Sequence, residues 1–125
     1  MAGVVLDAGP LVALDHGETR AEAWMQVAVR RGEVLVTSAA TLAECWRGGP
    51  RAARLARALK GIDVLAVSED LGRKAGELLA AAGSDHTLDA IVVALAAQRD
   101  AAVLTSDVGD IQPLADAAGV GVLDY

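Results

Sequence analysis

The sequence predicts an α/β domain of three layers, with helices on both faces of a central, mainly parallel sheet. Two observations predict it. Short runs rich in Val and Leu alternate with longer helix-patterned segments four or five times, and βα alternation of that kind builds parallel sheets. The 125 residues are 54% hydrophobic, ample for one buried core, and show no linker, repeat or low-complexity tract, so one domain over residues 1–125 is expected.

The elements follow in order. Val4-Val5-Leu6 reads as a strand, closed by Asp7 and a Gly9-Pro10 break before the apolar segment Leu11 to Leu14. Thr19 opens a helix, with Glu22 three residues on completing a capping box, and the pattern runs to about Arg31. Val34-Leu35-Val36 is the second strand, and Thr37-Ser38 offers the cap for a helix carrying Leu42, Glu44 and Trp46. Gly48-Gly49-Pro50 breaks the chain, and Pro50 or Arg51 starts a helix ending near Gly61. A short strand fits Val64 to Val67. Ser68 caps the next helix, whose first turn holds Glu69 and Asp70 where a helix dipole favours negative charge; Gly83 stops it. By periodicity alone, Leu88 to Ala96 suits a buried strand or a buried helix; its length, its alanines and the cap residues before it favour the helix. Ala102 to Thr105 is a strand, Ile111 to Ala118 a short helix and Val120 to Leu123 an edge strand.

Composition excludes several function classes. Aromatic residues make up 2% and Phe is absent, which argues against a platform for stacking bases. A lone Cys45 excludes a disulfide framework and a cysteine-rich zinc site. No apolar run approaches the roughly 18–20 residues of a membrane span. The start, Met1-Ala2-Gly3-Val4, has no basic region, so it does not read as a signal peptide. A soluble, cytoplasmic protein without membrane contact is the expectation. Nucleotide-binding glycine motifs and the Gly-x-Ser-x-Gly elbow are missing.

The chemistry-bearing residues are acids. Ligands of open parallel sheets bind beyond the carboxyl ends of the strands. Asp7 follows the first strand, and Asp107 and Asp110 follow the Val103-Leu104 strand. Glu44 and Asp89 are expected in the first turns of helices with apolar neighbours, and no Lys or Arg lies within a helical turn of Asp89. Each acid also has an ordinary reading. Asp7 can be a turn residue, Asp85, Asp107 and Asp110 can be caps, and Glu44 can be a solvated helix residue. Together they suggest a hard divalent cation, Mg²⁺ or Mn²⁺, because converging carboxylates otherwise raise one another's pKa values and resist packing.

Four segments carry a resemblance. Val5-Leu6-Asp7 with Leu11-Val12-Ala13-Leu14 resembles the opening of PIN-domain ribonucleases, and Thr41-Leu42-Ala43-Glu44 their central glutamate segment. Leu88-Asp89-Ala90-Ile91-Val92-Val93-Ala94-Leu95-Ala96 is similar to their Asp-Ala helix, and Val103-Leu104-Thr105-Ser106-Asp107 to their Thr-x-Asp strand end. The blocks come in family order over nearly the whole chain, and the nearest group is the VapC-type toxins of bacterial toxin–antitoxin pairs. The resemblance implies a PIN-like fold and an acidic quartet of Asp7, Glu44, Asp89 and Asp107 holding Mg²⁺ or Mn²⁺. Thr105 would stand beside the site, with Asp110 as an accessory acid. It further implies RNA phosphodiester cleavage by metal-activated water, homodimers, and an antitoxin that inserts an arginine into the acidic pocket, where guanidinium can pair with carboxylates. Cys45-Trp46 directly after the glutamate is bulkier than the family pattern.

An acidic chain that binds RNA must concentrate positive charge locally, and this one carries a net −6. From Cys45 to Ile62 there is no carboxylate, while Arg47, Arg51, Arg54, Arg57 and Lys60 recur every three or four positions. On one helix these form a basic stripe able to contact RNA phosphates, with Arg47, Arg51 and Arg54 nearest the Glu44 segment; a solvated face is the bland equivalent. Cys45 reads as a small buried hydrophobe, Trp24 and Trp46 as core or interface residues, and His16 and His86 as isolated. The functional expectation is a metal-dependent endoribonuclease, the toxin of a toxin–antitoxin pair. The alternative is a catalytically inactive PIN-like module that binds RNA or protein. A phosphatase or phospho-acceptor is disfavoured because Ala8-Gly9, not an x-Asp pair, follows Asp7.

Overall fold

Residue alternation along three central strands sorts the apolar side chains into two cores. The computed structural model describes residues 3–125, so the reading of the extreme N-terminus falls partly outside the described residues. The strands are β1 (Val4–Leu6), β2 (Leu35–Ser38), β3 (Asp63–Leu65), β4 (Ala102–Thr105) and β5 (Val122–Asp124). The helices are α1 (Ala8–Asp15), α2 (Thr19–Arg30), α3 (Ala39–Cys45), α4 (Ala53–Leu59), α5 (Glu69–Ala82), α6 (Thr87–Gln98) and α7 (Val108–Ala118), with a 3₁₀ turn at Pro50–Ala52. Val5, Val36 and Val103 stand in one register and pack with α5, α6 and α7. Val4, Leu6, Leu35 and Leu104 point the other way and pack with α1, α2 and α4. This is the period-two alternation of a sheet covered on both faces. The three-layer α/β/α expectation holds.

The strands run in the order β3-β2-β1-β4-β5, and every neighbouring pair is parallel. From β1 the chain crosses into α1 on one face, and from β4 into α7 on the other. The gap between β1 and β4 is therefore the switch point where an open α/β sheet leaves a crevice.

Several local expectations change. Gly9-Pro10 does not break the chain but lies in the first turn of α1, where the missing proline N–H would have had no helical partner. Leu88 to Ala96 is helical, and α6 buries Ala90 and Val92 to Ala96. Strand β3 starts at Asp63 and ends at Leu65, short of Val67. Helix α7 begins three residues before Ile111, and β5 runs Val122–Asp124. The basic segment is no single helix, because Arg47 follows α3, Arg51 is in the 3₁₀ turn and Lys60 ends α4. Glycines Gly48 and Gly49, both at positive φ, turn the chain between them. Among the described residues, no single helix is long and apolar enough to cross a membrane.

Candidate metal centre

Hydrogen bonds tie three strand ends together at the switch point. Thr37 Oγ1 donates to the Leu6 carbonyl at 2.9 Å, and the Asp7 N–H donates to the Leu104 carbonyl at 3.0 Å. Asp7 is 6% exposed. Its Oδ2 accepts from the buried Thr105 hydroxyl at 2.8 Å, and the Thr105 oxygen accepts from the Asp107 N–H at 2.9 Å. One threonine thus fixes Asp7 and the backbone of Asp107 together. Asp7 and Asp107 occupy the N-cap positions of α1 and α7, yet neither carboxylate caps its helix. The turn and cap roles therefore leave both carboxylates free for something else. Gly9 allows this closeness, since a methyl group there would collide with the Ser106 side chain between Thr105 and Asp107.

Asp89 and Asp110 lie in the first turns of α6 and α7. Helix N-termini present unpaired N–H groups and a partial positive charge, which eases the gathering of acids there. It does not cancel their repulsion. The Asp89 carboxyl is pushed up to about 6, first by burial and then by Asp7, with Asp107 and Asp110 adding to the rise and His86 opposing it. The Glu44 carboxyl is also raised, by burial and then by Asp7. Glu44 is exposed and sits in the last turn of α3, not the first as expected; that end of a helix is the less favourable one for an anion. Asp89 thus feels Asp7, Asp107 and Asp110, whereas Glu44 feels only Asp7 among these acids.

Among the described residues, no lysine or arginine pairs with them: the Lys or Arg pairs with carboxylates are Arg73–Glu69 and Lys74–Asp70, both within α5. A cluster of oxygen donors without a paired cation fits a hard divalent ion such as Mg²⁺ or Mn²⁺.

The sequence reading set aside one neighbour. His86, at the N-cap of α6, places Nδ1 3.9 Å from Asp89 Oδ2 and 3.8 Å from Asp110 Oδ2. The available signal was its i,i+3 spacing to Asp89 at a helix start. Asp85 does not cap α6 and its side chain is fully exposed. Cys45 is buried, with Sγ 3.7 Å from the Ala8 carbonyl, and its thiol is pushed up to about 11 by burial, Glu44 and Asp7; a thiolate nucleophile is excluded there. Trp24 packs on the α1–α2 core, whereas Trp46 is largely exposed.

The arginines divide by position. Arg47, Arg51 and Arg54 line a cavity of about 270 Å³ with Asp15 and His16. Arg54 Nη1 donates to the His16 carbonyl at 3.4 Å, and Arg47 Nη1 to the Trp46 carbonyl at 2.9 Å. Arg57, together with Arg54 again, lines a groove of about 510 Å³ between α2 and α4 that also includes Leu14, Met25 and Val29. That larger groove contains none of the clustered acids.

The PIN domain family profile matches residues 4–112, and the chain belongs to the PIN domain family. Solved structures share the fold. VapBC2 from Rickettsia felis, bound to a DNA fragment from its promoter, superposes with TM-score 0.77 at 13% identity, over 98% of each chain. FitAcB from Neisseria gonorrhoeae gives TM-score 0.70 at 20% identity, covering 97% of this chain and 96% of that one. VapC20 from Mycobacterium tuberculosis, a toxin that cleaves the sarcin–ricin loop, gives TM-score 0.59 at 24% identity, over 84% and 92% of the two chains. No curated protein matches the sequence significantly.

Proposed function

We propose that the protein is a divalent-metal-dependent endoribonuclease, the toxin of a toxin–antitoxin pair, with Mg²⁺ or Mn²⁺ held by Asp7, Asp89, Asp107 and Glu44. The observation that carries this reading is the state of Asp89, raised to about 6 by burial and then by Asp7, with Asp107 and Asp110 adding, while among the described residues no lysine or arginine pairs with any of them. Family membership and the VapC-type and FitB-type neighbours support the nuclease and toxin assignment.

The chain's own residues divide the work. Asp7 and Asp89 are the central ligands, Asp107 and Glu44 complete the shell, and Asp110 is accessory. Thr105 holds Asp7 in one orientation through its 2.8 Å bond, so the carboxylate does not have to be ordered when a cation enters. When bound, the cation supplies Lewis-acid chemistry, neutralising phosphodiester charge and making water a better nucleophile. Arg47, Arg51 and Arg54, which line one cavity with Asp15 and His16, contact the RNA backbone; they position the strand without reading its bases. The partners are RNA, an antitoxin that covers the acids with an arginine, and a second copy of this chain.

The test is RNA cleavage by purified protein with Mn²⁺, with EDTA, and by Asp7→Asn. Cleavage that EDTA stops, Mn²⁺ restores and Asp7→Asn lacks is the expected result, with growth arrest on expression relieved by the same substitution. A folded protein that cleaves no RNA with either metal overturns the enzyme reading and leaves the inactive PIN-like binding module.

A further inference from the structure

We infer that His86 is a nitrogen ligand at the edge of the acidic pocket and makes the site prefer a transition-metal divalent cation over Mg²⁺. The inference rests on the metal-dependent reading above and adds to it a residue outside the quartet. Three donor groups converge there from two chain segments, the start of α6 and the first turn of α7. The candidate ligand atoms of His86, Asp89 and Asp110 all lie within 4.8 Å of one another. Nδ1 is 3.9 Å from Asp89 Oδ2 and 3.8 Å from Asp110 Oδ2, too far for a hydrogen bond to either.

The other ring nitrogen, Nε2, stands 3.8 Å from Oδ1 of the exposed Asp85, also beyond hydrogen-bond distance. Nδ1 is therefore the ring nitrogen that faces the two inner acids. Its half-exposed ring is within reach of an ion arriving from solvent.

Imidazole and carboxylate together discriminate between cations. Mg²⁺ takes oxygen ligands and gains little from a nitrogen donor, whereas Mn²⁺ through Zn²⁺ accept imidazole with rising affinity. A site of carboxylates alone has this bias to a smaller degree. The histidine therefore selects the metal, and the acids keep it.

The chain has two histidines, which makes the test direct. Metal-free protein is titrated with Mg²⁺ and with Zn²⁺ by calorimetry, and the imidazole nitrogens are followed by NMR during the Zn²⁺ titration. The expected result is Zn²⁺ binding at least about tenfold tighter than Mg²⁺, with the Nδ1 signal of His86 shifting and that of His16 unmoved. His86→Asn keeps a good capping residue at the start of α6, and it is expected to lose most of the Zn²⁺ margin while Mg²⁺ binding changes little. Unchanged Zn²⁺ affinity in His86→Asn, or a His86 signal that does not respond, overturns the histidine assignment and leaves the acidic site standing. Failure of the wild-type protein to bind either cation overturns both readings.

Discussion

The acids of α5 and the acids at the carboxyl edge of the sheet live under opposite rules. Glu69 and Asp70 each meet a cation one helical turn away, Arg73 Nη2 at 2.7 Å and Lys74 Nζ at 3.4 Å, in open solvent. Such pairs contribute little, because water already solvates both partners. At the sheet edge, Asp89 is partly buried and feels Asp7, Asp107 and Asp110 from two other segments, and among the described residues none of them pairs with a lysine or arginine. The first arrangement is what a solvated helix face needs. The second costs folding free energy, which a bound cation would offset.

The sharpest way to break this contrast is Asp89→Asn. Cleavage of RNA with Mn²⁺ is expected to fall by about 10³-fold, from several kcal/mol of lost transition-state stabilisation. The melting temperature in EDTA is expected to rise by a few degrees, because one repelling charge is gone. A variant that keeps its activity, or that melts lower in EDTA, would place Asp89 among ordinary structural acids.

Thr105→Val comes next. It keeps the shape and removes the donor to Asp7 and the acceptor for the Asp107 N–H. Leaving those groups unpaired in a buried place is expected to cost about 1–3 kcal/mol in urea unfolding. Mn²⁺-dependent cleavage should weaken as well, since Asp7 loses its fixed orientation.

The pH dependence of stability sharpens the comparison further. A carboxyl raised from 3.8 to about 6 in the folded protein binds more protons folded than unfolded between those values, so its contribution to stability falls as pH rises through that window. The metal-free protein is therefore expected to gain stability on acidification from pH 7 toward about 5. In Asp89→Asn that part of the slope should disappear, and saturating Mn²⁺ should remove it from the wild type. The smallest effect belongs to α5. Glu69→Gln should shift unfolding by no more than about 0.5 kcal/mol and leave cleavage unaltered; a larger loss would mean the two regions are not so different.

Much of this was legible in the residues. Asp7 and Asp107 could be placed at strand ends because short runs of Val and Leu end just before them, and Asp89 because an apolar helix surrounds it. Thr105 came with the resemblance of its strand end to the family's Thr-x-Asp segment. Three features were not legible. Glu44 moved to the far end of α3, since the first turn is set by Ser38, whose Oγ accepts from the Thr41 N–H at 3.0 Å. The basic residues did not share a helix face, because glycines with positive φ and the 3₁₀ turn rotate Arg47 and Arg51 away from the α4 frame. His86 looked isolated because its second acidic neighbour, Asp110, is remote in sequence and meets it only through the packing of α6 on α7.

Local sequence determined the alternation of strand and helix, the Val and Ala cores and which acids follow strands or open helices, since each depends on periodicity or on residues a few positions apart. Only the tertiary structure decided that β1 lies beside β4 with α1 and α7 leaving to opposite faces. That crossing opens the crevice at Asp7, brings the start of α6 against the start of α7, and turns scattered carboxylates into one field. Strand order is a competition among long-range pairings, each weighed by the burial of both sheet faces at once, and no window of neighbouring residues contains that sum.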